Sequence, residues 1–387
     1  MNINSWLEKN KKKFINTRRY FHQHPEVGFK EHKTSKHLKK ILNGSGYKIY
    51  QNKKMQTGFY VEYGSSDSPI LAIRTDIDAL PISDLKKVSY SSKNNGFMHA
   101  CGHDAHMTIA IGVALWLKEN DISISGRVRF IFQPAEEIAP GGAIEMIKGD
   151  AVKNVDHIIG YHVLPTLDSK SVAINQKYVN AAVEIHSFNL NGRGGHTSRP
   201  EETDDLITIG SDFIMKINEK MNQITTNIPF VFTFGHVKSG YTFNVIPSDF
   251  FIEGTFRYLD PNIKQIVYKT IKNLIKDFKN KYNININHET PYACPPVIND
   301  KYIVDIVKES SIDILNKKNV IDLKKTSMGG EDFSYYLEHC PGAYFRIGSN
   351  DGNAKDLHTP HFDINEECIF TGIKVLCKTI KKYYKLV

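Results

Sequence analysis

The first half of the chain alternates short, mainly apolar runs with segments of helical length, and this alternation constrains the fold more than any other feature. The runs at residues 70–73, 128–132 and 157–163 have strand length and strand composition. Strands that alternate with helices form a parallel α/β sheet. In such sheets, functional side chains collect on loops at the carboxyl ends of the strands. The sequence therefore predicts an α/β domain whose functional residues follow these strands.

The pattern changes in the second half of the chain. A strand, a helix, two strands, a helix and a strand are indicated in turn at residues 183–190, 204–223, 230–237, 250–258, 262–282 and 284–288. This βαββαβ order is typical of a ferredoxin-like unit, which closes its own sheet with helices on one face. We therefore predict a first domain with a central, mostly parallel sheet flanked by helices, residues 1–179 and 292–387, interrupted by a ferredoxin-like domain at 180–291.

Composition indicates an ordinary folded protein in a reducing compartment. Hydrophobic residues make up 41% of the chain and charged residues 24%, close to the averages for globular domains. The five cysteines, an odd number without a CxxC pair, argue against a disulfide framework or a zinc knuckle. The N-terminal segment lacks the pattern of a signal peptide, and no run approaches the roughly 20 apolar residues of a membrane helix. We expect a cytoplasmic protein without a membrane partner.

The formal charge of +8 raises the alternative of nucleic-acid binding. The lysines are scattered along predicted helices rather than clustered, as at residues 271–279, which is typical of solvated helix faces. We therefore expect no nucleic-acid partner.

The strongest local signal is MHACGHDAHM at residues 98–107, which places a thiol and several imidazoles close together. The thiolate of Cys101 and the imidazole of His103 can bind one divalent ion, and Gly102 permits the tight backbone between them. A buried cysteine beside unrelated histidines at a helix start remains an alternative for this stretch taken alone.

Two adjacent carboxylates, Glu136 and Glu137, follow the predicted strand at 128–132. Adjacent side chains on an extended segment diverge, so one can bind a metal while the other faces a water molecule as general base. Metal-assisted hydrolysis requires that division of roles. A solvated acidic pair at a helix N-terminus explains the two residues equally well when they are taken alone.

Two further histidines extend the pattern: His162, near the end of the predicted strand at 157–163, and His358, in LHTP. A lone histidine is more often structural than a ligand. Together, however, four segments that each end a strand or open a loop supply five donors: Cys101, His103, Glu137, His162 and His358. These donors are enough for two metal ions that share a bridging water.

The inserted domain carries His196 in GRGGHTSRP, where glycines place the imidazole on a bent, exposed loop. A histidine there can donate a hydrogen bond to a developing oxyanion. Asn244 and Arg257 are candidate clamps for a substrate carboxylate. For Arg257, an ion pair on a strand surface is at least as good an interpretation.

These segments, in this order, resemble the M20 metallopeptidase superfamily, and specifically its amidohydrolase branch, subfamily D, which holds the hippurate hydrolases and auxin-conjugate hydrolases. The resemblance covers nearly the whole chain. It rests on RRYFHQHPE (18–26), RTDIDALP (74–81), MHACGHDAHM (98–107), FQPAEE (132–137), GRGGHTSRP (192–200), FNVIP (243–247), MGGEDF (328–333) and LHTPHFD (357–363). It implies a catalytic α/β domain interrupted by a smaller lid domain, usually with homodimerisation through the lid.

The resemblance also implies roles for individual residues. By motif matching, the five donors named above are the metal ligands and Glu136 is the general base. His196 is the oxyanion donor, often reaching the neighbouring subunit's site. The mixed thiolate, imidazole and carboxylate donors suit two divalent ions, with zinc or manganese as first candidates and cobalt or nickel as alternatives.

One departure from the wider superfamily is informative. Many of its peptidases carry His-x-Asp after the first strand, where Arg74-Thr75-Asp76 stands here. The amidohydrolase branch replaces that histidine ligand through its Cys-Gly-His segment, so the departure favours hydrolysis of acylated amino acids over aminopeptidase action. Asp76 is then expected to orient a ligand imidazole and so assist catalysis.

The sequence thus predicts a metal-dependent amidohydrolase acting on linear amides, with an N-acyl-L-amino acid as its small-molecule substrate. The metals lower the pKa of a bridging water, Glu136 takes its proton, and hydroxide attacks the acyl carbonyl. Acetyl, succinyl, benzoyl and indoleacetyl groups all remain open. Two alternatives are a dipeptidase or carboxypeptidase of the same fold, and a non-catalytic metal-stabilised binding protein. Glu136 argues against the binding protein, because a structural metal site needs no general base.

Overall fold

A computed structural model describes residues 2–65, 69–350, 352–353 and 355–386 of the chain. In chain order, its strands are β1 (Ile49–Tyr50), β2 (Phe59–Tyr63), β3 (Ile70–Asp76), β4 (Arg127–Gln133), β5 (His157–Asp168), β6 (Val172–Ile174), β7 (Tyr178–Asn180), β8 (Ala182–Asn191), β9 (Gly195–His196), β10 (Phe230–Lys238), β11 (Val245–Ile246), β12 (Asp249–Tyr258), β13 (Asn285–Cys294), β14 (Val297–Ile298), β15 (Val320–Asp322) and β16 (Gly342–Asn350). Its α-helices are α1 (Ile3–Gln23), α2 (His32–Gly44), α3 (His103–Glu119), α4 (Ala143–Lys148), α5 (Leu206–Asn222), α6 (Pro261–Tyr282), α7 (Lys301–Leu315), α8 (Ser334–Leu337) and α9 (Glu367–Tyr383). Short 3-10 helices lie at Lys53–Met55, Pro200–Glu202 and Lys317–Asn319.

The chain divides into two compact units. Unit 1 comprises Met1–Val179, Ile298–Thr326 and Asp332–Val387, and unit 2 comprises Asn180–Val297 and Ser327–Glu331. Each unit has its own apolar core, as expected for a chain of this length.

Unit 1 contains an eight-stranded mixed sheet in the order β1-β2-β4-β3-β5-β16-β6-β15. The four central strands, β4, β3, β5 and β16, pair in parallel, and so do β6 and β15. The pairs β1–β2, β2–β4 and β6–β16 are antiparallel. Every residue of β3 is buried, as expected for a strand whose two faces are covered. The predicted α/β class is confirmed, and antiparallel pairs are added toward both edges of its parallel centre.

Helix α3 is deeply buried, since all its residues from 103 to 117 are buried. Gly112 on α3 allows close packing against α9, because a Cβ there would clash with Ile373 Cδ1. Gly372 on α9 packs in the same way, since a Cβ there would lie 2.7 Å from Ile109 Cδ1. This tight pair of helices anchors α3, whose first residue is the predicted ligand His103.

Unit 2 builds the predicted βαββαβ order from β8, α5, β10, β12, α6 and β13. Its antiparallel sheet has the order β10-β12-β8-β13, which is the predicted ferredoxin-like arrangement. Alternate residues of β8 are buried, and Phe188 packs on Phe213 of α5 with ring centroids 5.4 Å apart. Across the part of the chain that is described, no helix combines the length and apolar character needed to cross a membrane.

Candidate metal centre

Cys101 and His103 lie on either side of Gly102, the residue that precedes the first turn of α3. Gly102 adopts φ 85°, in the left-handed region, and a Cβ there would lie 2.5 Å from Val163 Cγ2. Both facts favour glycine at this turn, which brings the thiol and the imidazole to the same place.

Glu137 reaches this place from the loop that follows β4. Ala135 has φ 50°, and its N–H donates to the buried carboxylate of Glu31 at 2.9 Å. The N–H of Glu137 donates to Asp78 Oδ2 at 3.0 Å. These bonds hold a backbone conformation that is unfavourable for alanine. Glu136 is half-buried. One possible ligand atom from each of Glu136, Glu137 and His103 lies within 4.8 Å of the other two.

The two remaining histidines come from distant segments. His162 is buried in β5, whereas His358 lies in the loop between β16 and α9, with φ 61° and about half of its side chain exposed. The N–H of His358 donates to the carbonyl of Ala100 at 2.8 Å. That bond joins the His358 loop to the segment that carries Cys101.

All five predicted ligands meet in unit 1. Cys101 Sγ lies 3.2 Å from His162 Nε2 and 3.3 Å from His358 Nε2. Glu137 Oε1 lies 3.3 Å from His358 Nε2 and 3.8 Å from His103 Nε2. The five side chains therefore form one continuous cluster.

The imidazole rings are oriented for metal binding. His103 Nδ1 lies 2.9 Å from the carbonyl of Asp78, and His162 Nδ1 lies 2.7 Å from the carbonyl of Val163. Because a carbonyl only accepts, Nδ1 carries the proton in the neutral form of each ring, and Nε2 then presents a lone pair. Among the described residues, the buried His103 Nε2 has no hydrogen-bond partner, and Glu137 Oε1 has only the ion-pair contacts given above. Buried polar atoms are rarely left in this state, so the cluster fits a cation.

The charges at the cluster lead to the same conclusion. Burial raises the pKa of the Cys101 thiol far above its usual value, and Glu137 and Glu136 raise it further. Burial lowers the pKa of His103, but nearby carboxylates, above all Asp76, outweigh burial and raise it to about 10. Nearby carboxylates contribute to both shifts, and divalent cations would balance this surplus of negative charge.

Asp76, at the end of β3, lies beside two histidines, His106 and the predicted ligand His103. Its Oδ1 accepts from His106 Nδ1 at 2.7 Å but lies 3.8 Å from His103 Nδ1. His106 Nε2 accepts from the N–H of Val163 at 2.9 Å, so both its nitrogens are occupied. Arg74 holds the other oxygen of Asp76 at 2.7 Å. Asp76 therefore orients mainly His106, a residue outside the predicted ligand set.

Asp78, two residues after Asp76, contacts the predicted ligands His103 and Glu137 directly. Its carbonyl accepts from His103 Nδ1, its Oδ1 lies 3.3 Å from the same nitrogen, and its Oδ2 accepts from the N–H of Glu137. It thus contacts two predicted ligands. The signal was present in RTDIDALP, where the two aspartates are two residues apart, but spacing alone does not show which one faces the cluster.

His196 and Asn244 lie together in unit 2. His196 pairs with Val245 across β9 and β11, and the N–H of Thr197 donates to the carbonyl of Asn244 at 3.3 Å. His196 Nδ1 accepts from the N–H of Ser198 at 3.1 Å. In the neutral ring the proton is therefore on Nε2, which makes His196 an exposed N–H donor.

Arg257, on β12, also belongs to unit 2. Its Nη1 donates to the carbonyl of Met328 at 2.7 Å, within the MGGEDF motif. This bond gives the guanidinium a fixed place on the sheet.

Comparisons with known proteins agree with this site. Residues 72–382 match the family described as Peptidase family M20/M25/M40. N-acetyl-L-cysteine deacetylase of Bacillus subtilis is 34% identical over 376 residues, which cover 96% of this chain and 88% of the relative. IAA-amino acid hydrolase ILR1-like 4 of Arabidopsis thaliana is 32% identical over 378 residues, covering 95% of this chain and 85% of the relative.

A solved structure is also similar over the full length. The YXEP protein of Bacillus subtilis, described as a dinuclear metal binding peptidase from the M20 family, has a TM-score of 0.86 and 28% identity, covering 98% of this chain and 100% of that one. The chain therefore belongs to Peptidase family M20/M25/M40, and its relatives are of the amidohydrolase type. The family predicted from the motifs is confirmed.

Proposed function

We propose that this protein is a two-metal amidohydrolase that cleaves the amide bond of N-acyl-L-amino acids, releasing a carboxylate and a free amino acid. The convergence of five donor side chains carries the proposal, because thiol, carboxylate and imidazole atoms meet within 3.8 Å of their neighbours. The dinuclear relative supports two ions. A deacetylase of N-acetyl-L-cysteine and an IAA-amino acid hydrolase support acylated amino acids as the substrate class.

The ligands we assign to the ions are Cys101, His103, Glu137, His162 and His358. When bound, divalent cations supply Lewis acidity toward the scissile carbonyl and lower the pKa of the attacking water. This mixed donor set suits zinc or manganese first, with cobalt or nickel as alternatives. A thiolate ligand requires a reducing compartment, so we also propose a cytoplasmic location.

Glu136 is the proposed general base. Its place beside His103 and Glu137 lets it face the reacting water while the neighbouring carboxylate serves as a ligand. It takes a proton from the water and later returns that proton to the leaving amine nitrogen. Asp76 assists indirectly. It accepts a hydrogen bond from His106, and His106 in turn binds the backbone of the strand that carries His162.

The inserted segment, residues 180–291, is proposed to act as a lid domain. Along the sequence it separates the two catalytic segments, residues 1–179 and 292–387. The exposed Nε2–H of His196 suits it to donate to the oxyanion of the tetrahedral intermediate. Asn244 and Arg257 are proposed to bind the substrate carboxylate, and Arg257 offers a guanidinium already held at Met328.

We also propose that the protein forms a homodimer through this inserted segment. The strand β10 lies at an edge of the sheet of unit 2, and its Val237 is 50% exposed. Tyr241 and Phe243, which follow β10, are 87% and 94% exposed. Apolar side chains beside an exposed sheet edge favour pairing with a second copy. Light scattering should give a dimer for the wild type and a monomer for Val237→Lys; a monomeric wild type would contradict the proposal.

The activity is tested with a panel of N-acetyl, N-succinyl and N-benzoyl amino acids beside plain dipeptides. Metal-stripped protein is assayed with and without added manganese or zinc. Metal-dependent release of free amino acid from acylated substrates is the expected result. Activity on dipeptides alone would assign a peptidase instead, and no activity with metal bound would indicate a binding protein.

The two adjacent carboxylates provide matched variants for the proposed roles. We expect Glu136→Gln to keep its metal, measured by plasma emission spectrometry, and to lose turnover, because it removes only the proton acceptor. We expect Glu137→Gln to lose both metal and turnover. Near-normal turnover of Glu136→Gln would contradict its role as the base.

A further inference from the structure

The candidate metal centre takes its ligands from segments far apart in the sequence. Cys101 and His103 lie at the start of α3, whereas His358 lies in the loop before α9, yet Cys101 Sγ is 3.3 Å from His358 Nε2. Metal affinity depends on how accurately a protein fixes such distances. The contacts that hold these two segments in place should therefore affect metal binding.

Arg18 of α1 contacts both segments from behind. Its side chain is fully buried, with Nε 2.8 Å from Asp104 Oδ2 and Nη2 2.8 Å from Asp363 Oδ1. Asp104 directly follows His103, and Asp363 ends the LHTPHFD motif that contains His358. One planar guanidinium therefore spans the two segments, through an ion pair with Asp104 and a hydrogen bond to Asp363.

Both carboxylates are held by second partners. Asp104 Oδ2 also accepts from His22 Nδ1 at 2.7 Å, and Asp363 Oδ2 accepts from the hydroxyl of Tyr90 at 2.8 Å. These partners restrict both carboxylates, so neither can rotate freely to contact a different cationic side chain at position 18. A change at Arg18 is therefore transmitted to the backbone beside the ligands.

We propose that Arg18 is a positioning residue that sets the separation of the two ligand-bearing segments and thereby the metal affinity of the centre. The inference rests on the proposed metal-binding function. Lysine at this position would keep the positive charge but end in one ammonium group, which cannot reproduce the fixed geometry of a guanidinium. Arg18→Lys therefore keeps the positive charge but loses the simultaneous contact with Asp104 and Asp363.

The test compares Arg18→Lys with Arg19→Lys in the full-length chain, with cobalt(II) as the probe ion. Arg19 is the matched control because it is the next residue of α1 and makes two bonds of 2.9 Å to Glu366, outside the ligand-bearing segments. Metal-free protein is titrated with cobalt, and the absorption of thiolate-bound cobalt reports occupancy and geometry. We expect Arg18→Lys to bind cobalt about 10-fold to 100-fold more weakly with an altered spectrum, and Arg19→Lys to match the wild type.

Equal affinities and wild-type spectra for both variants would overturn the positioning role, whatever happens to their melting temperatures. Failure of the wild type to show thiolate-bound cobalt would instead refute the proposed metal function. If circular dichroism shows that Arg18→Lys is unfolded, a triple variant combining Arg18→Met, Asp104→Asn and Asp363→Asn is titrated, since it leaves none of these charges unpaired. Weakened cobalt binding by that variant supports the proposal, and wild-type binding overturns it.

Discussion

Replacing Gly102 by alanine tests the turn on which the candidate metal centre depends. Gly102 has φ 85°, and an added Cβ would lie 2.5 Å from Val163 Cγ2. Holding alanine in the left-handed region costs about 1 to 2 kcal/mol, and forcing a methyl group into packed side chains costs about 1 to 3 kcal/mol. The expected loss of unfolding free energy is therefore about 2 to 5 kcal/mol. Metal affinity should fall as well, because Cys101 and His103 flank this residue.

Gly96 provides a matched control for the conformational part of that loss. It has φ 82°, and an added Cβ would meet nothing within 4 Å, so Gly96→Ala should cost only about 1 to 2 kcal/mol and keep its metal. Both tryptophans of the chain, Trp6 and Trp116, lie in unit 1, so urea unfolding followed by tryptophan fluorescence reports on that unit. Equal losses in the two variants would show that the contact with Val163 is not responsible and would refute the reasoning.

Three further outcomes are expected. His106→Leu removes a partner from both Asp76 and the N–H of Val163, so urea unfolding should show a loss of about 2 to 4 kcal/mol, and an unchanged midpoint would contradict the contact. Burial, the main cause, raises the pKa of Glu31 from 4.5 to about 7. Protonated Glu31 therefore stabilises the fold below pH 4.5, and this contribution is lost as pH rises to about 7. Relative to Glu31→Gln, the wild type should lose up to about 3 kcal/mol across that interval, whereas parallel pH profiles would contradict the assignment. A chelator should lower the melting temperature of the wild type but not that of Glu137→Gln, and equal shifts would argue against Glu137 as a ligand.

The secondary structure that sequence patterns predict well is the part determined by local periodicity. The predicted strands at 70–73, 128–132 and 157–163 lie within β3, β4 and β5. The last strand of unit 2 is longer than predicted and extends to Cys294. Residues 289–294 include Pro291, which is unfavourable inside a regular strand, and the pairing of β13 with β8 changes register there. Sequence periodicity alone does not reveal a strand that continues past such an irregularity.

The candidate ligands could be proposed from the sequence for a different reason. Cys101 and His103 are two residues apart, so one short motif carries both. The residues behind them were not predictable in this way, because Arg18 meets Asp104 and Asp363 only after the chain has folded. Contacts between distant segments depend on sheet order and helix packing, which one sequence does not specify residue by residue.

Two buried charge networks lie behind the candidate centre, one around Arg18 and one around Arg74. Buried ion pairs add little net stability, because the loss of hydration offsets most of the attraction. Apolar residues of similar volume would stabilise unit 1 at least as well. Yet Asp104 directly follows the predicted ligand His103. Asp76 holds His106, which accepts from the N–H of Val163, the residue after the predicted ligand His162. Their position indicates that these networks fix ligand geometry, so conservative changes within them should weaken metal binding more than they lower the free energy of unfolding.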